Sequence, residues 1–442
     1  MNVQLFSFAG MGELLFVKRT LQILRTSLPI LLGNVGRMGA NVLLSKATGY
    51  LFGPAGVGLL GQVGSVAAVA TSLSTACVDN GVVRHVARAR SLDKEAERNA
   101  LASSLRIVSV ATITCLFCGI CLLPFIRRHL FLDQLSVAAT GTLLLGAAAV
   151  ASLNWCLAVV NGQRRLWALA GIHMAWSLTC AAAAAYMLMA RPRSISDALT
   201  VSFLGNIGAL ALAVPLLESG TLRLAFSKGP LDRSSYLRFL PYSLMSGGSS
   251  LIVAGTAILV RSRVISDASL GLPAAGALEA ISKLSSPWLG VLTASLSAYY
   301  MPRLAVAKSM EAMLREAWSL LRVVAPVAMA SGIATWWLRR DLLNLFYSRD
   351  FPDDSVAVAL QSFGDFLKMV GWTFGYTFIA TGDWRRFLTL EASYSMVRVL
   401  LTWLGIRYFG FRCVPGAYCA SWVFYLAGLA WMLRGMQPVP AR

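Results

Sequence analysis

Arg37, Lys283, Lys368 and Arg398, with Asp79, Glu279, Asp365 and Glu391, stand inside stretches of the chain that are otherwise apolar. An ionised side chain at the centre of a bilayer costs at least about 2.5 kcal/mol, so charges at such depth are kept where they line an aqueous path or meet a ligand. The cations could meet an anionic ligand, and the carboxylates could neutralise them. Residues three, four or seven apart share a helix face. By that rule Asp365, Lys368, Trp372 and Tyr376 form one stripe, as do Glu391, Tyr394 and Arg398, while Glu279 precedes Lys283 by one turn and Asn34, Arg37 and Asn41 share a face.

Pairing within one helix explains Glu279 with Lys283 and Asp365 with Lys368 about as well as function does. Arg37 has no acid within reach on its own helix and therefore needs a carboxylate from elsewhere or an anionic ligand. Asp79 lies near the end of its apolar run, where water reaches it, and reads as an interfacial anchor. Trp372, Tyr376 and Tyr394 could stack on sugar rings or accept cations, although aromatic side chains more often pack. His173 is best explained by a hydrogen bond to a neighbouring helix. Cys115, Cys118 and Cys121 have no His or acid partner and read as packing residues rather than metal ligands. The three histidines, His85, His129 and His173, are not at metal-ligand spacing, and no phosphate loop or nucleophile elbow is present. Enzymatic hydrolysis, a bound cofactor and a metal centre are not expected.

The elements that must hold these residues are membrane helices. The chain has 442 residues, 57% hydrophobic and 13% charged, with a mean hydropathy of +0.65. The net charge of +19 falls in short clusters between apolar runs, as in positive-inside loops, and excludes nucleic-acid binding. With about 20 apolar residues needed per span, twelve spans are expected: 27–49, 55–81, 101–126, 134–160, 165–190, 196–217, 238–261, 273–301, 317–338, 356–381, 386–408 and 414–434. Lys and Arg favour one side by about two to one, which predicts both termini in the cytoplasm. No removable signal peptide is expected.

The sequence also repeats. Pro54-Ala55 is echoed by Pro273-Ala274, and Asn161-Gly162-Gln163-Arg164-Arg165 by Thr381-Gly382-Asp383-Trp384-Arg385-Arg386, both at a shift of about 220 residues. Two copies of six helices with the same orientation follow: an N-terminal lobe over 1–218, a cytoplasmic linker over 219–237 and a C-terminal lobe over 238–442, with the substrate path between lobes.

The entry Phe52-Gly53-Pro54-Ala55-Gly56-Val57-Gly58, the segment Thr293-Ala294-Ser295-Leu296-Ser297-Ala298-Tyr299-Tyr300-Met301-Pro302 and the block Gly364-Asp365-Phe366-Leu367-Lys368 with Phe374-Gly375-Tyr376 carry a resemblance. They resemble the Wzx-type lipid-linked oligosaccharide flippases, in the branch serving lipid III and O-antigen units. Those flippases sit in the superfamily that also holds multidrug and toxic compound extrusion (MATE) transporters and the lipid II flippase.

The resemblance implies a MATE-like all-helical fold with two six-helix lobes around a central cavity, in the bacterial inner membrane. It implies a cargo of undecaprenyl pyrophosphate bearing an oligosaccharide, handled beside a polysaccharide polymerase and chain-length regulator. Arg37, Lys283, Lys368 and Arg398 would then meet the pyrophosphate. Asn34, Asn41, Trp372, Tyr376 and Tyr394 would meet the sugars, and Asp79, Glu279, Asp365 and Glu391 would balance charge or bind a coupling ion.

A cation-coupled drug or metabolite exporter of the same architecture is the alternative. It would want acidic walls, and helix one offers Arg37 instead. A non-transporting scaffold for glycan-assembly enzymes is a third reading, and the charges inside the spans make it the weakest.

Overall fold

The structure is a computed structural model that describes residues 5–90, 92–227, 233–296, 300–307, 309–348 and 350–434; for 5–31, 34, 233–242, 294–295, 302 and 305–306 it describes the backbone alone. Every regular element among the described residues is a helix. The first half holds α1 (Leu5–Ser74), α2 (Asp79–Arg90), α3 (Lys94–Cys121), α4 (Leu123–Phe125), α5 (Val137–Gly162), α6 (Leu166–Ala190), α7 (Ile195–Ala213) and the short α8 (Thr221–Ala225). The second half holds α9 (Arg233–Ile265), α10 (Gly271–Leu284), α11 (Ser286–Ser295), α12 (Met301–Val306), α13 (Met310–Trp337), α14 (Arg339–Phe346), α15 (Ser355–Thr381), α16 (Trp384–Phe409) and α17 (Cys413–Arg434).

Among the described residues each of the twelve expected spans falls largely on helix. Eight stretches among the described residues are long and apolar enough to cross a membrane, and two of them, Val35–Arg90 and Trp384–Arg434, each contain more than one helix. The α15 helix is not among them, because Gln361, Asp365 and Lys368 dilute its apolar character.

The starts follow from sequence. Asp93, Ser136, Ser194 and Ser309 accept from backbone N–H groups three residues on and cap α3, α5, α7 and α13.

The repeat is visible in the backbone. Starts at Lys94, Val137, Leu166 and Ile195 recur at Met310, Ser355, Trp384 and Cys413, a shift of 216 to 218 residues. The paired motifs form the α5–α6 and α15–α16 turns, and each places a residue in the left-handed region, Arg164 at φ 57° and Gly382 at φ 73°.

Two expected spans are not continuous. The first, 55–81, breaks over residues 75–78, where Ala76 and Cys77 take left-handed backbone angles and Thr75 bonds its neighbours: its hydroxyl donates to the Ser72 carbonyl and accepts from the Cys77 N–H. Serine and threonine hydroxyls compete with the helical ladder in this way. The second, 273–301, is divided into α10 and α11 at Ser285, just before Pro287. Both breaks fall in the second spanning segment of their half. α1 bends at Gly53, whose φ of 62° only glycine adopts without strain.

The expected linker begins as a docked element. Thr221 of α8 is buried and accepts from Gln163 Nε2 at 3.2 Å, Arg106 donates to the Ser227 carbonyl at 3.0 Å, and Arg90 pairs with Glu218 at 3.3 Å. Residues 228–232 lie outside the described residues.

The halves meet most closely where α1 crosses α10. A Cβ on Gly276 would lie 1.7 Å from the Pro54 carbonyl oxygen, and one on Gly58 would lie 2.5 Å from the Leu272 carbonyl oxygen. Glycine is required here because backbone touches backbone, the packing that small residues permit in membranes. Replacing Gly276 by Ala is expected to cost about 1–3 kcal/mol through overpacking, read as a lowered midpoint in thermal unfolding of the detergent-purified protein. Gly255, with nothing within 4 Å of a built Cβ, should accept Ala without such a loss; equal midpoints for the two variants would refute the seam.

Candidate functional site

The intramembrane charges gather in three places. The first lies between the halves, against the crossing of α1 and α10. Glu279 is 6% exposed and is held by two cations: Lys283 Nζ approaches its Oε1 at 3.2 Å, and Arg261 Nη2 donates to its Oε2. Arg261, on α9, also donates from Nη1 to the Gly61 carbonyl at 2.7 Å and to Ser65 Oγ at 2.6 Å, both on α1. At the next residue of both helices Gln62 Nε2 donates to Ser262 Oγ at 3.0 Å. Asn41, Ser45, Gly61, Ser65, Arg261, Glu279 and Lys283 line a cavity of about 320 Å³ that draws its walls from both halves. With two cations against one carboxylate, the cavity carries an excess positive charge.

Arg261 was not among the residues expected inside the membrane. The expected span 238–261 ends on this arginine, so it reads as a boundary residue. The helix in fact continues to Ile265, and Arg263 at the next position but one finds Asp267 at 3.1 Å. The signal was the lone acid Glu279 shared by more than one base, visible only once α9 and α10 are side by side.

The second cluster lies inside the C-terminal half. Asp365 is 2% exposed; it accepts from Tyr418 Oη at 2.7 Å and from Gln361 Nε2 at 3.3 Å. Ser285, at the helix break, lies beside it, and the Ser285 hydroxyl has no hydrogen-bond partner among the described residues. Lys368 places its ammonium 4.6 Å from the Trp372 ring centre and Arg398 places its guanidinium 4.7 Å from that of Tyr418, both at cation–π distance. Glu391, 5% exposed, has no ion-pair or hydrogen-bond partner among the described residues. It lines a second cavity of about 170 Å³ with Ser249, Trp372, Tyr376 and Tyr425. Tyr394 is buried in an aromatic stack, its ring centre 4.6 Å from Trp422 and 6.0 Å from Tyr425, and does not line that cavity.

The third place is Arg37, on α1 in the N-terminal half. Its guanidinium stands 5.5 Å from the Trp176 ring centre, and Trp176 is fixed by donating from Nε1 to Asn206 Oδ1 at 3.0 Å. Among the described residues no carboxylate lies within ion-pair distance of Arg37, so the first of the two partners its isolation on helix one left open, an acid from another helix, is not found there. His173 packs beside it, against Gly33. The hydrogen bond expected of this histidine is not made at Nδ1, which is buried without a partner.

Asn41, one turn along α1 from Arg37, lines the inter-half cavity, whereas the side chain of Asn34 lies outside the described residues. Asp79 opens α2 just past the helix break, with Oδ1 buried and unpartnered. The four basic residues proposed to meet one ligand are thus spread over three clusters rather than one. Lys283 and Asn41 share the inter-half cavity, Lys368 and Arg398 share the C-terminal cluster, and Arg37 stands apart on α1. All eight cysteines are free thiols, and among the described residues no three His, Cys, Asp or Glu side chains are placed to hold a metal ion.

The geometry can be set beside known proteins. A MATE-family multidrug resistance transporter of the MOP superfamily, solved in an inward-facing conformation, superposes with a TM-score of 0.70 at 18% identity, over 94% of this chain and 99% of that one. The lipid II flippase MurJ, in an inward closed conformation, gives 0.69 at 10% identity over 94% and 88%. The fold is therefore that of the MOP-superfamily membrane transporters. No protein-family profile matches the chain. In sequence it is similar to the proteins named Lipid III flippase of Escherichia coli (strain K12) and Shigella flexneri, each 26% identical over 393 residues, 88% of this chain and 93% of theirs. The resemblance seen in the motifs is borne out over those 393 residues.

Removing the hydroxyl that holds Asp365 tests the C-terminal cluster. Tyr418→Phe leaves a buried carboxylate short of a donor and should cost about 1–3 kcal/mol, measured as a drop in the thermal midpoint; an unchanged midpoint would show that Gln361 and Lys368 alone suffice.

Proposed function

We propose that the protein is a flippase that carries an undecaprenyl-pyrophosphate-linked oligosaccharide from the cytoplasmic to the periplasmic leaflet of the bacterial inner membrane by alternating access. The observation that carries this reading is the pairing of lipid III flippase relatives over almost the whole chain with a positively charged cavity built by both halves. A pyrophosphate group is a compact anion that guanidinium and ammonium groups can meet with charge-assisted hydrogen bonds. Arg37, Lys283, Lys368 and Arg398 would serve it in turn as it moves, which suits their spread along a path. Asn34, Asn41, Trp372 and Tyr376 would meet the sugar hydroxyls, and Tyr394 would act by supporting the aromatic wall. The polyprenyl chain would stay in lipid.

Glu391, buried and unpaired beside a cavity, is the carboxylate best placed to exchange H⁺ or Na⁺ during the return step; Glu279 and Asp365 balance the cations around them, and Asp79 sits at the membrane boundary. The arginine-rich stretch around α2 and α3 marks the cytoplasmic side by the positive-inside rule, with both termini there and the Gly53 bend on the periplasmic side. A polymerase and a chain-length regulator would receive the cargo.

A drug exporter of the same fold is the second reading, supported by the MATE neighbours; the excess of cations lining the central cavity opposes it. In a deletion strain, undecaprenyl-pyrophosphate-linked saccharide should accumulate, and the stalled species identifies the cargo. Arg37→Ala should abolish surface glycan at normal membrane abundance, with Arg37→Lys retaining part of it. Normal glycan in the Arg37→Ala strain removes that residue from the path, and dye resistance without any glycan defect favours the exporter.

A further inference from the structure

Arg261 belongs to the C-terminal half, yet two of its three contacts are to the N-terminal half. Its partners there, the Gly61 carbonyl and Ser65 Oγ, are neutral acceptors, and they lie directly beside the backbone crossing at Gly58 and Gly276. The set is also incompletely satisfied. Arg261 Nε and Gln62 Oε1 are both buried without a hydrogen-bond partner among the described residues, although buried polar groups are paired in the great majority of cases. A guanidinium that bridges two bodies through neutral acceptors, keeps one donor idle and faces a cavity is placed to change partners.

We infer that Arg261 is a latch between the halves, and that an anion entering the inter-half cavity releases it. Resting on the cargo reading above, the step is an exchange of hydrogen bonds. Pyrophosphate oxygens take the guanidinium fork and the idle Nε, Gly61 and Ser65 lose their donor, and Glu279 keeps Lys283 as its counter-charge. The exchange favours the ligand because pyrophosphate meets the guanidinium with formal negative charge and supplies an acceptor to the idle Nε, where Gly61 and Ser65 offer only neutral oxygens. A ligand shifts a conformational equilibrium only by its differential affinity for the two states. Here that difference is built in, since the fork can serve the ligand or the seam but not both. Arg261 is thereby a specificity-determining residue: a neutral or cationic molecule of similar size would occupy the cavity without opening the crossing of α1 with α9 and α10.

The contact between Gln62 and Ser262 supplies the reporter. In full-length protein in nanodiscs, the double variant Gln62→Cys/Ser262→Cys should form a disulfide under mild oxidation, counted by the thiols left for maleimide labelling and compared with each single variant to subtract the eight native cysteines. Adding Arg261→Ala should slow closure by about threefold or more, as expected for loss of charge-assisted bonds. Ser65→Ala, which leaves the pair with Glu279 intact, should slow it less. Inorganic pyrophosphate should slow the parent pair and have no effect once Arg261 is gone.

A parent rate of cross-linking in both the Arg261→Ala and Ser65→Ala backgrounds would overturn the latch. Binding of pyrophosphate is scored separately, by its thermal shift in the wild type. Binding that leaves the cross-linking rate unchanged refutes the release step alone, whereas no binding at all brings down the cargo reading together with it.

Discussion

A charge inside a bilayer has to be answered, and in this protein the answers differ from place to place. Glu279 is answered twice, by Arg261 and Lys283. Asp365 is answered by a tyrosine hydroxyl and a carboxamide, with Lys368 one turn away. The cations Lys368, Arg398 and Arg37 rest over aromatic rings, a weaker arrangement that leaves their donors available. A membrane protein that needed only stability would replace such groups with apolar residues, since a buried ion pair seldom outperforms a well-packed hydrophobic one. The satisfaction of these groups is uneven: Glu279 and Asp365 are compensated, Glu391 has no ion-pair or hydrogen-bond partner among the described residues, and the three cations can still take one up.

The second constraint is the close approach of the two halves. Where α1 crosses α10 the glycines bring backbones into contact, and the side chains that flank the crossing are the ones that build the cavity. Packing and charge are therefore not separate features. The same geometry that seals the seam at Gly58 and Gly276 delivers Gly61 and Ser65 to Arg261 and leaves the space lined by Asn41 and Lys283 beside it. In each half the second spanning segment is interrupted, at residues 75–78 and at Ser285. Broken helices in membrane proteins are tolerated where they are buried in protein or line a cavity. The break at Ser285 falls between Lys283 of the inter-half cavity and Asp365 of the C-terminal cluster, and so joins the two sites.

Much of the fold was legible in the chain itself. The spacing of apolar runs gave twelve segments, and each falls on helix among the described residues apart from the two interruptions, because the length of a span is imposed by the thickness of the bilayer rather than by contacts elsewhere. The internal repeat was readable from two short motifs and reappears as matching helix starts and as the left-handed residues Arg164 and Gly382 in equivalent turns. The interruptions were harder to see. Nothing in the hydropathy of Thr71 to Asp79 shows that the Thr75 hydroxyl will take over a backbone bond, and the end of an apolar run is a poor guide to where a helix stops.

By itself, the sequence determined that this is a polytopic helical membrane protein, built from duplicated halves and carrying acids and bases at depth, because hydrophobicity, helical period and the cost of burying charge act along the chain. Only the tertiary structure decided which charge meets which. Within one helix Glu279 sees Lys283, but its second partner Arg261 comes from α9, where the expected span ended on the arginine itself. Tyr418, which holds Asp365, stands 53 residues away in sequence. Such pairings depend on which faces of separate helices are turned together. That is settled by the packing of side chains across the bundle, and no local pattern records it.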